Sequence, residues 1–162
     1  MVLLFHCFIV LFPCYTFSMQ ILYEYLFLIP VVVLALSSIT KVLIEGRKTE
    51  GKAHQHFFHP GGMPSTHSAF VTSLAIVVFK KAGAESVEFA IAFCFACIVW
   101  YDAVVTRRVI GQHGQLLNRM QNWHHFAEKV GHSLKEVIAG ILFGALVTGI
   151  GIWMSELIDV AM

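Results

Sequence analysis

Charge is what this sequence has least of. Asp, Glu, Lys and Arg make up 13% of its 162 residues, about half the roughly 25% usual in a soluble domain. Net charge is +1, so no global field points to a polyanion, and no basic run interleaved with aromatics suggests nucleic acid as a partner. Cysteine is scarce too. Cys94 and Cys97 have the spacing of a redox or zinc half-motif, but no second ligand pair lies near and the run around them, Phe89 to Trp100, is apolar. They read as buried small hydrophobes, and no metal and no cofactor is expected. Residues Met1 to Phe17 lack Lys and Arg, and so lack the positive n-region of a secretory signal, and the cleavage site is poor as well. Residues 1–18 are expected to be a dispensable apolar extension preceding one domain over 19–162, with an extra membrane span as the rival reading. No internal repeat is evident.

What the chain has in excess is apolar length. Hydrophobic residues make up 57%, mean hydropathy is +0.74, and the apolar residues are gathered into runs. The first runs from about Tyr23 to Ile44, long enough at ~1.5 Å per residue to cross hydrocarbon, with Pro30 inside it, which a membrane helix tolerates. A second spans about Pro64 to Phe79, a third about Ser86 to Val105, a fourth about Glu136 to Ile158. Gly83 to Glu85 is a turn. Glu45 to His59 is a polar loop, and Gly111 to Gly131 a polar, partly helical one. Gly140, Gly144, Gly149 and Gly151 recur along the fourth run at spacings that allow close helix contact. The expected fold is all-α: a polytopic membrane helical bundle of about four transmembrane helices, with a fifth at the N-terminus if residues 1–18 span.

Three polar clusters interrupt the apolar runs. His59 to Phe70 reads H-P-G-G-M-P-S-T-H-S-A-F. Pro60-Gly61-Gly62 allows a sharp turn, Ser65 or Thr66 can cap the next helix, and His67 falls in its first turn, where free N–H groups attract anions. A capped helix with an incidental histidine is the plainer reading. Tyr101 to Arg108 reads Y-D-A-V-V-T-R-R. Asp102 and Thr106 share a face if the helix continues, whereas Asp102 and Arg107 are five apart, off the favoured spacings of three and four. Arg107-Arg108 is either a stop signal or a guanidinium pair that grips phosphate oxygens. Gly131 to Gly140 reads G-H-S-L-K-E-V-I-A-G. His132 and Glu136 are four apart, so the carboxylate can hold the imidazole; Ser133-x-x-Glu136 is equally a capping box that claims the same carboxylate. Lys41, near the end of the first run, either snorkels to the interface or points inward at an anion.

Topology brings these clusters together. With Lys41 and Lys135 at their edges, the loop after the first run and the loop between the third and fourth hold nine of the eleven basic residues, against Lys80 and Lys81 on the other side. The positive-inside rule puts the richer face in the cytoplasm, and all three clusters fall on it.

In combination, G-G-M-P-S-T-H-S-A, Y-D-A-x-x-x-R-R, the pair Leu117-Asn118 and G-H-x-x-x-E-V-x-A-G resemble the divergent branch of the type 2 phosphatidic acid phosphatase superfamily, also called acid phosphatase/vanadium-dependent haloperoxidase-related proteins. The resemblance covers roughly Met19 to the C-terminus. It implies a membrane phosphatase acting on a lipid or prenyl-type phosphate monoester, with His132 as nucleophile and phosphohistidine, Glu136 orienting it and His67 protonating the leaving oxygen. Lys41, Ser65, Thr66, Arg107 and Arg108 would bind phosphate, with Asp102 and Asn118 in support. Thr66 stands where the wider family's motif has glycine, Glu136 where it has aspartate, and Phe126 where it has arginine. The alternative is a non-catalytic phospholipid-binding or scaffold protein that keeps the fold. A haloperoxidase fits a four-span chain poorly, and a transporter would line a path across the membrane where this chain gathers its polar groups on one face. Expected partners are the bilayer and a lipid phosphate, with homo-oligomers left open.

The basic asymmetry yields a labelling prediction. Single cysteines introduced at Lys52 and Arg119 resist membrane-impermeant reagent applied to intact cells; ready labelling of both reverses the topology, and labelling of one breaks the four-span arrangement.

Overall fold

The computed structural model describes Leu26 and residues 28–44, 62–128 and 130–161; the extension at 1–18, the first polar loop at 45–59 and the start of the Pro60-Gly61-Gly62 turn lie outside the described residues. Every described element is helical. Helix α1 spans Leu28–Ile44, α2 Thr66–Ala82 and α3 Val87–Tyr101. One π turn, Asp102–Thr106, follows and passes without a break into α4, Arg107–Met120. The final helix, α5, is Leu134–Ala161.

Large apolar side chains lie outside and small ones inside. Leu28, Ile91, Ile98, Leu142 and Trp153 are exposed, whereas the fully buried side chains are led by Val33, Thr148, Ser37, Ser65, Ser68 and Ser73. A soluble protein does not cover itself this way; a helical bundle in lipid does, because small residues let backbones approach and large ones meet acyl chains. Val87–Met120 and Leu134–Leu157 are long and apolar enough to cross a membrane, and Leu28–Ile44 is a shorter apolar helix. Cys94 and Cys97 correct the expectation of burial: both are exposed on the outward side of α3, while Ala92 and Ala96 take the inward positions. Trp100 is half-buried, and its Nε1 is buried without a hydrogen-bond partner among the described residues.

Helix α2 sits at the centre and packs on both α3 and α5. Its contact with α5 is a ladder of small residues. A Cβ at Gly140 would strike the Ser65 carbonyl oxygen, and one at Gly144 the Ala69 carbonyl oxygen. One turn further, the Thr148 hydroxyl donates to the Gly144 carbonyl at 2.6 Å and is hydrogen-bonded with Ser73 Oγ at 2.7 Å. Positions 140, 144 and 148 thus meet 65, 69 and 73 in step, four residues apart on each helix. Of the other two glycines, Gly151 faces the Ile29 side chain of α1 and Gly149 faces open space. Helix α1 buries Leu26, Pro30, Val33 and Ser37, one face at helical spacing, and Lys41 continues that face.

The turn between α2 and α3 follows its residues. Gly83 takes φ +85° at the end of α2, a conformation that glycine alone adopts at little cost, and Ser86 Oγ caps α3 by accepting from the Phe89 N–H at 3.1 Å. Lys80 pairs with Glu156 at 2.7 Å at this same end.

The third helix departs from expectation. The expected span closing near Val105 and the first part of the polar, partly helical stretch from Gly111 are joined in one helix of 34 residues from Val87 to Met120. At ~1.5 Å per residue that is about 50 Å, against ~30 Å of hydrocarbon, more than a span along the bilayer normal needs. Gly111 and Gly114 do not break the helix. They give room to the chain returning from it: Cβ atoms there would meet the Glu128 carbonyl oxygen at 2.5 Å and the Ala127 carbonyl oxygen at 2.6 Å.

The ladder carries a stability prediction. Gly144→Val overpacks α2 against α5 and costs about 1–3 kcal/mol, read as a lowered thermal midpoint in detergent, whereas Gly149→Ala leaves the midpoint unchanged or raises it. Equal effects at the two positions would rule out the ladder.

Candidate functional site

The site is built where α2 and α5 begin. The Ser65 N–H donates to the Glu136 carbonyl at 3.2 Å, which fixes the start of α2 against the first turn of α5. Ser65 makes no side-chain cap, contrary to the expectation from its position. It is fully buried, and its hydroxyl accepts from Ser68 Oγ at 2.9 Å, within the helix interface. The cap of α2 is therefore not made by its own serine. Thr66 is half-buried and His67 exposed in the first turn, while Gly62 takes φ +97° before them.

Helix α5 begins at Leu134, so His132 lies just outside it. Both rival roles of Glu136 are realised at one atom. Glu136 Oε2 accepts from the Ser133 N–H at 2.9 Å, and the Glu136 N–H is bonded back to Ser133 Oγ at 3.3 Å, which is a capping box. The same Oε2 lies 3.1 Å from His132 Nδ1. An ionised carboxylate only accepts, so Nδ1 carries the proton in this contact and Nε2 is the other nitrogen. His132 is buried, at 8% exposure.

The second cluster is shaped by the π turn. Within Asp102–Thr106 hydrogen bonds run five residues apart, and the Arg107 N–H reaches the Asp102 carbonyl. That winding puts i and i+5 on one face, and Arg107 Nε donates to Asp102 Oδ2 at 2.7 Å. The spacing that is unfavourable on an α-helix is the favoured one here. The neighbouring Ala103 carbonyl accepts the His132 N–H at 3.0 Å. Gly131 lies on the backbone of Arg107 and Arg108, where a Cβ would stand 2.7 Å from the Arg108 nitrogen. The histidine is thus tied to the arginine segment through backbone groups.

These contacts gather the predicted residues. Lys41, Arg107, His132 and Asp102 all lie near enough to act electrostatically on the His67 imidazole, so side chains from α1, α2, the π turn, α4 and the approach to α5 share one locus. Arg108 shares a cleft with His132, of about 470 Å³, lined also by Val104, Gln112, Gln115 and Glu128. Asn118 works at a distance: its Oδ1 accepts from the Phe126 N–H at 2.8 Å, and its Nδ2 donates to the Phe126 carbonyl at 3.0 Å and to Glu128 Oε1 at 2.8 Å. One side chain pins the loop that delivers Gly131 and His132, with the Phe126 backbone as its main anchor. Ser65 alone of the predicted set is withdrawn into the helix interface.

Two parts of the site carried no signal in the sequence. The Ala103–His132 bond is backbone to backbone, and the π turn follows from no residue type. Gly131 was a usable signal, because a glycine directly before a candidate nucleophile marks close approach.

Residues 22–147 match the divergent PAP2 family. The chain is 34% identical over 108 residues to the uncharacterized membrane protein YuiD of Bacillus subtilis (strain 168), an overlap that covers 54% of this chain and 68% of that one. No solved structure matches. The matched region contains the starts of α2 and α5, the π turn and both histidines, and with the lipid-type surface it makes this chain a membrane protein that belongs to the divergent PAP2 family.

Proposed function

We propose that this protein is a membrane phosphatase that hydrolyses a lipid or prenyl-type phosphate monoester through a phosphohistidine on His132. The observation that carries the reading is the bond between His132 Nδ1 and Glu136 Oε2. A carboxylate on Nδ1 fixes the tautomer, raises the basicity of Nε2 and steadies the cation that forms when Nε2 acquires a substituent. In the first step the Nε2 lone pair attacks phosphorus, the bond from phosphorus to the ester oxygen breaks, and His67 gives that oxygen a proton. In the second, water attacks phosphorus, the P–N bond breaks, and His67 takes the proton back. Arg107, with Nε on Asp102, has its terminal amino groups to offer the phosphoryl oxygens, and Lys41, Arg108, Thr66 and the uncapped N–H groups of α2 supply further charge and donors. No metal enters these steps. Four spans, with the site loops in the cytoplasm, would bring the site to headgroup depth on the inner leaflet.

The second reading is a phospholipid-binding or scaffold protein. It is favoured by the same Asp102–Arg107 pair, which commits part of one guanidinium before any phosphate arrives. The two readings part on release of inorganic phosphate from a panel of lipid phosphates by purified protein in detergent.

His132→Ala abolishes phosphate release and any trapped phosphoenzyme, and normal turnover in this variant would sink the mechanism. His67→Ala slows formation of the intermediate, least for esters with good leaving groups. Glu136→Gln keeps an oxygen that can cap Ser133, so the protein folds and binds, but it loses the charge that steadies the imidazolium, and the rate falls about 10- to 100-fold. An unchanged rate in that variant would leave Glu136 a capping role alone.

A further inference from the structure

We propose that the cleft beside His132 is a subsite for a hydroxyl-rich alcohol, so that the phosphate monoester this protein takes carries its phosphate on a polyol such as an inositol ring. The proposal rests on the phosphatase reading and narrows its substrate. Two lengths of chain wall the cleft. One is a single helix face, on which Val104, Arg108, Gln112 and Gln115 follow at steps of four, four and three, about 16 Å of helix. The other is the chain returning towards α5, which runs antiparallel along that helix. Ala127 lies against Gly114, Glu128 against Gly111 and Gly131 against Arg108, and the His132 N–H reaches the Ala103 carbonyl. His132 therefore stands at the end of the cleft nearest apolar α3, with Gln115 and Glu128 at the other end, along the polar half of the helix. A phosphoryl group held at His132 leaves the rest of the cleft to whatever the phosphate is attached to.

The chemistry of the lining chooses the occupant. At about 470 Å³ the cleft falls within the ~300–1,000 Å³ of small-molecule sites, more room than one phosphoryl group fills. Arg108 only donates, Glu128 only accepts, and Gln112 and Gln115 each do both. An acyl or prenyl chain would desolvate these groups and return no hydrogen bond. A second phosphate would meet the Glu128 carboxylate, which Asn118 Nδ2 holds in place through Oε1 at 2.8 Å. A hydroxyl both donates and accepts, so a ring of hydroxyls can answer every one of these groups, while Val104 and Val130 offer an apolar surface to its C–H side. Two sources offer that chemistry: a lipid whose headgroup is a phosphorylated polyol, and the free polyol phosphate.

The full chain, purified in detergent, is assayed on phosphatidylinositol 4-phosphate, on phosphatidic acid with the same acyl chains and on free inositol 1-phosphate. The expected kcat/KM is higher for phosphatidylinositol 4-phosphate than for phosphatidic acid, and Gln112→Leu with Gln115→Leu lowers that ratio roughly 10-fold, as two lost hydrogen bonds would. Both glutamines are exposed and leucine keeps the helix propensity; Gln112→Ala with Gln115→Ala repeats the measurement if the leucines cause association. Equal kcat/KM for the two lipids, or a ratio that the double variants do not move, would overturn the subsite and leave the phosphatase reading in place. Turnover of free inositol 1-phosphate as efficient as that of the lipid assigns the free ester as substrate, and its refusal assigns the lipid headgroup. Hydrogen exchange covers failure of the phosphatase reading itself. Where no ester releases phosphate, slower exchange of the amides around Glu128 and Val130 with phosphatidylinositol 4-phosphate than with phosphatidic acid keeps the cleft as a polyol-binding site, and equal exchange with the two overturns it.

Discussion

The close approach of α2 and α5 is the constraint on which everything else depends. Two glycines, Gly140 and Gly144, let the backbone of α5 lie against Ser65 and Ala69 with no side chain between. Nothing larger fits, and nothing apolar drives the contact, since lipid is as greasy as any side chain that could be buried. What holds the pair is dispersion at short range and hydroxyls satisfied across it, such as Thr148 on Ser73. The same approach brings the start of α2 within hydrogen-bond reach of α5 at Glu136. His67 follows Ser65 by two residues and His132 precedes Glu136 by four. Once the ladder is in register, the two histidines come to one end of the bundle.

The π turn is the second device, and it explains how one helix serves two surroundings. Thirty-four residues run from apolar α3 to amphipathic α4 without a break. The wider winding over Asp102–Thr106 sets Asp102 beneath Arg107, and its Ala103 carbonyl takes the N–H of a distant residue, His132. An unbroken α-helix uses that carbonyl for itself and turns Arg107 away from the acid. A single irregular turn therefore orients a cation, pairs an acid near the membrane, which would be costly alone, and moors a candidate nucleophile.

Much of this was legible in the residues, and the limits have physical causes. The glycine spacing of α5, the turn at Gly83 and the helix start after Pro64 are local, and local chemistry decides them. That the three clusters share one end followed from the alternation of the apolar runs, which puts both polar loops on one side. The length of the third helix was misjudged because Gly111, Gly114 and the polar residues around them read as loop, whereas the glycines leave space for the chain at 126–131. The exposure of Cys94 and Cys97 was misjudged because apolarity does not distinguish inside from outside when the solvent is lipid; size does, and alanine took the inner positions. Ser65 looked like a cap because sequence does not show that its hydroxyl is taken by Ser68 Oγ, three residues on in the same helix. The spacing of Asp102 and Arg107 looked poor because an α-helix was assumed where the winding is π.

Glu136 shows how the fold and the proposed chemistry can rest on one residue. Its carbonyl holds α2 through Ser65, its N–H closes the capping box with Ser133, and one oxygen of its side chain takes both the Ser133 N–H and His132 Nδ1. The first two bonds belong to the backbone and survive any change of side chain. The third keeps the helix start intact as long as an oxygen remains. The bond to His132 gains most from the negative charge, because the imidazole can become a cation. Capping and the proposed chemistry share the atom and ask different things of it. The cap needs an acceptor, a histidine that turns cationic would need an anion, and a glutamate supplies both at a helix start where the dipole already favours negative charge.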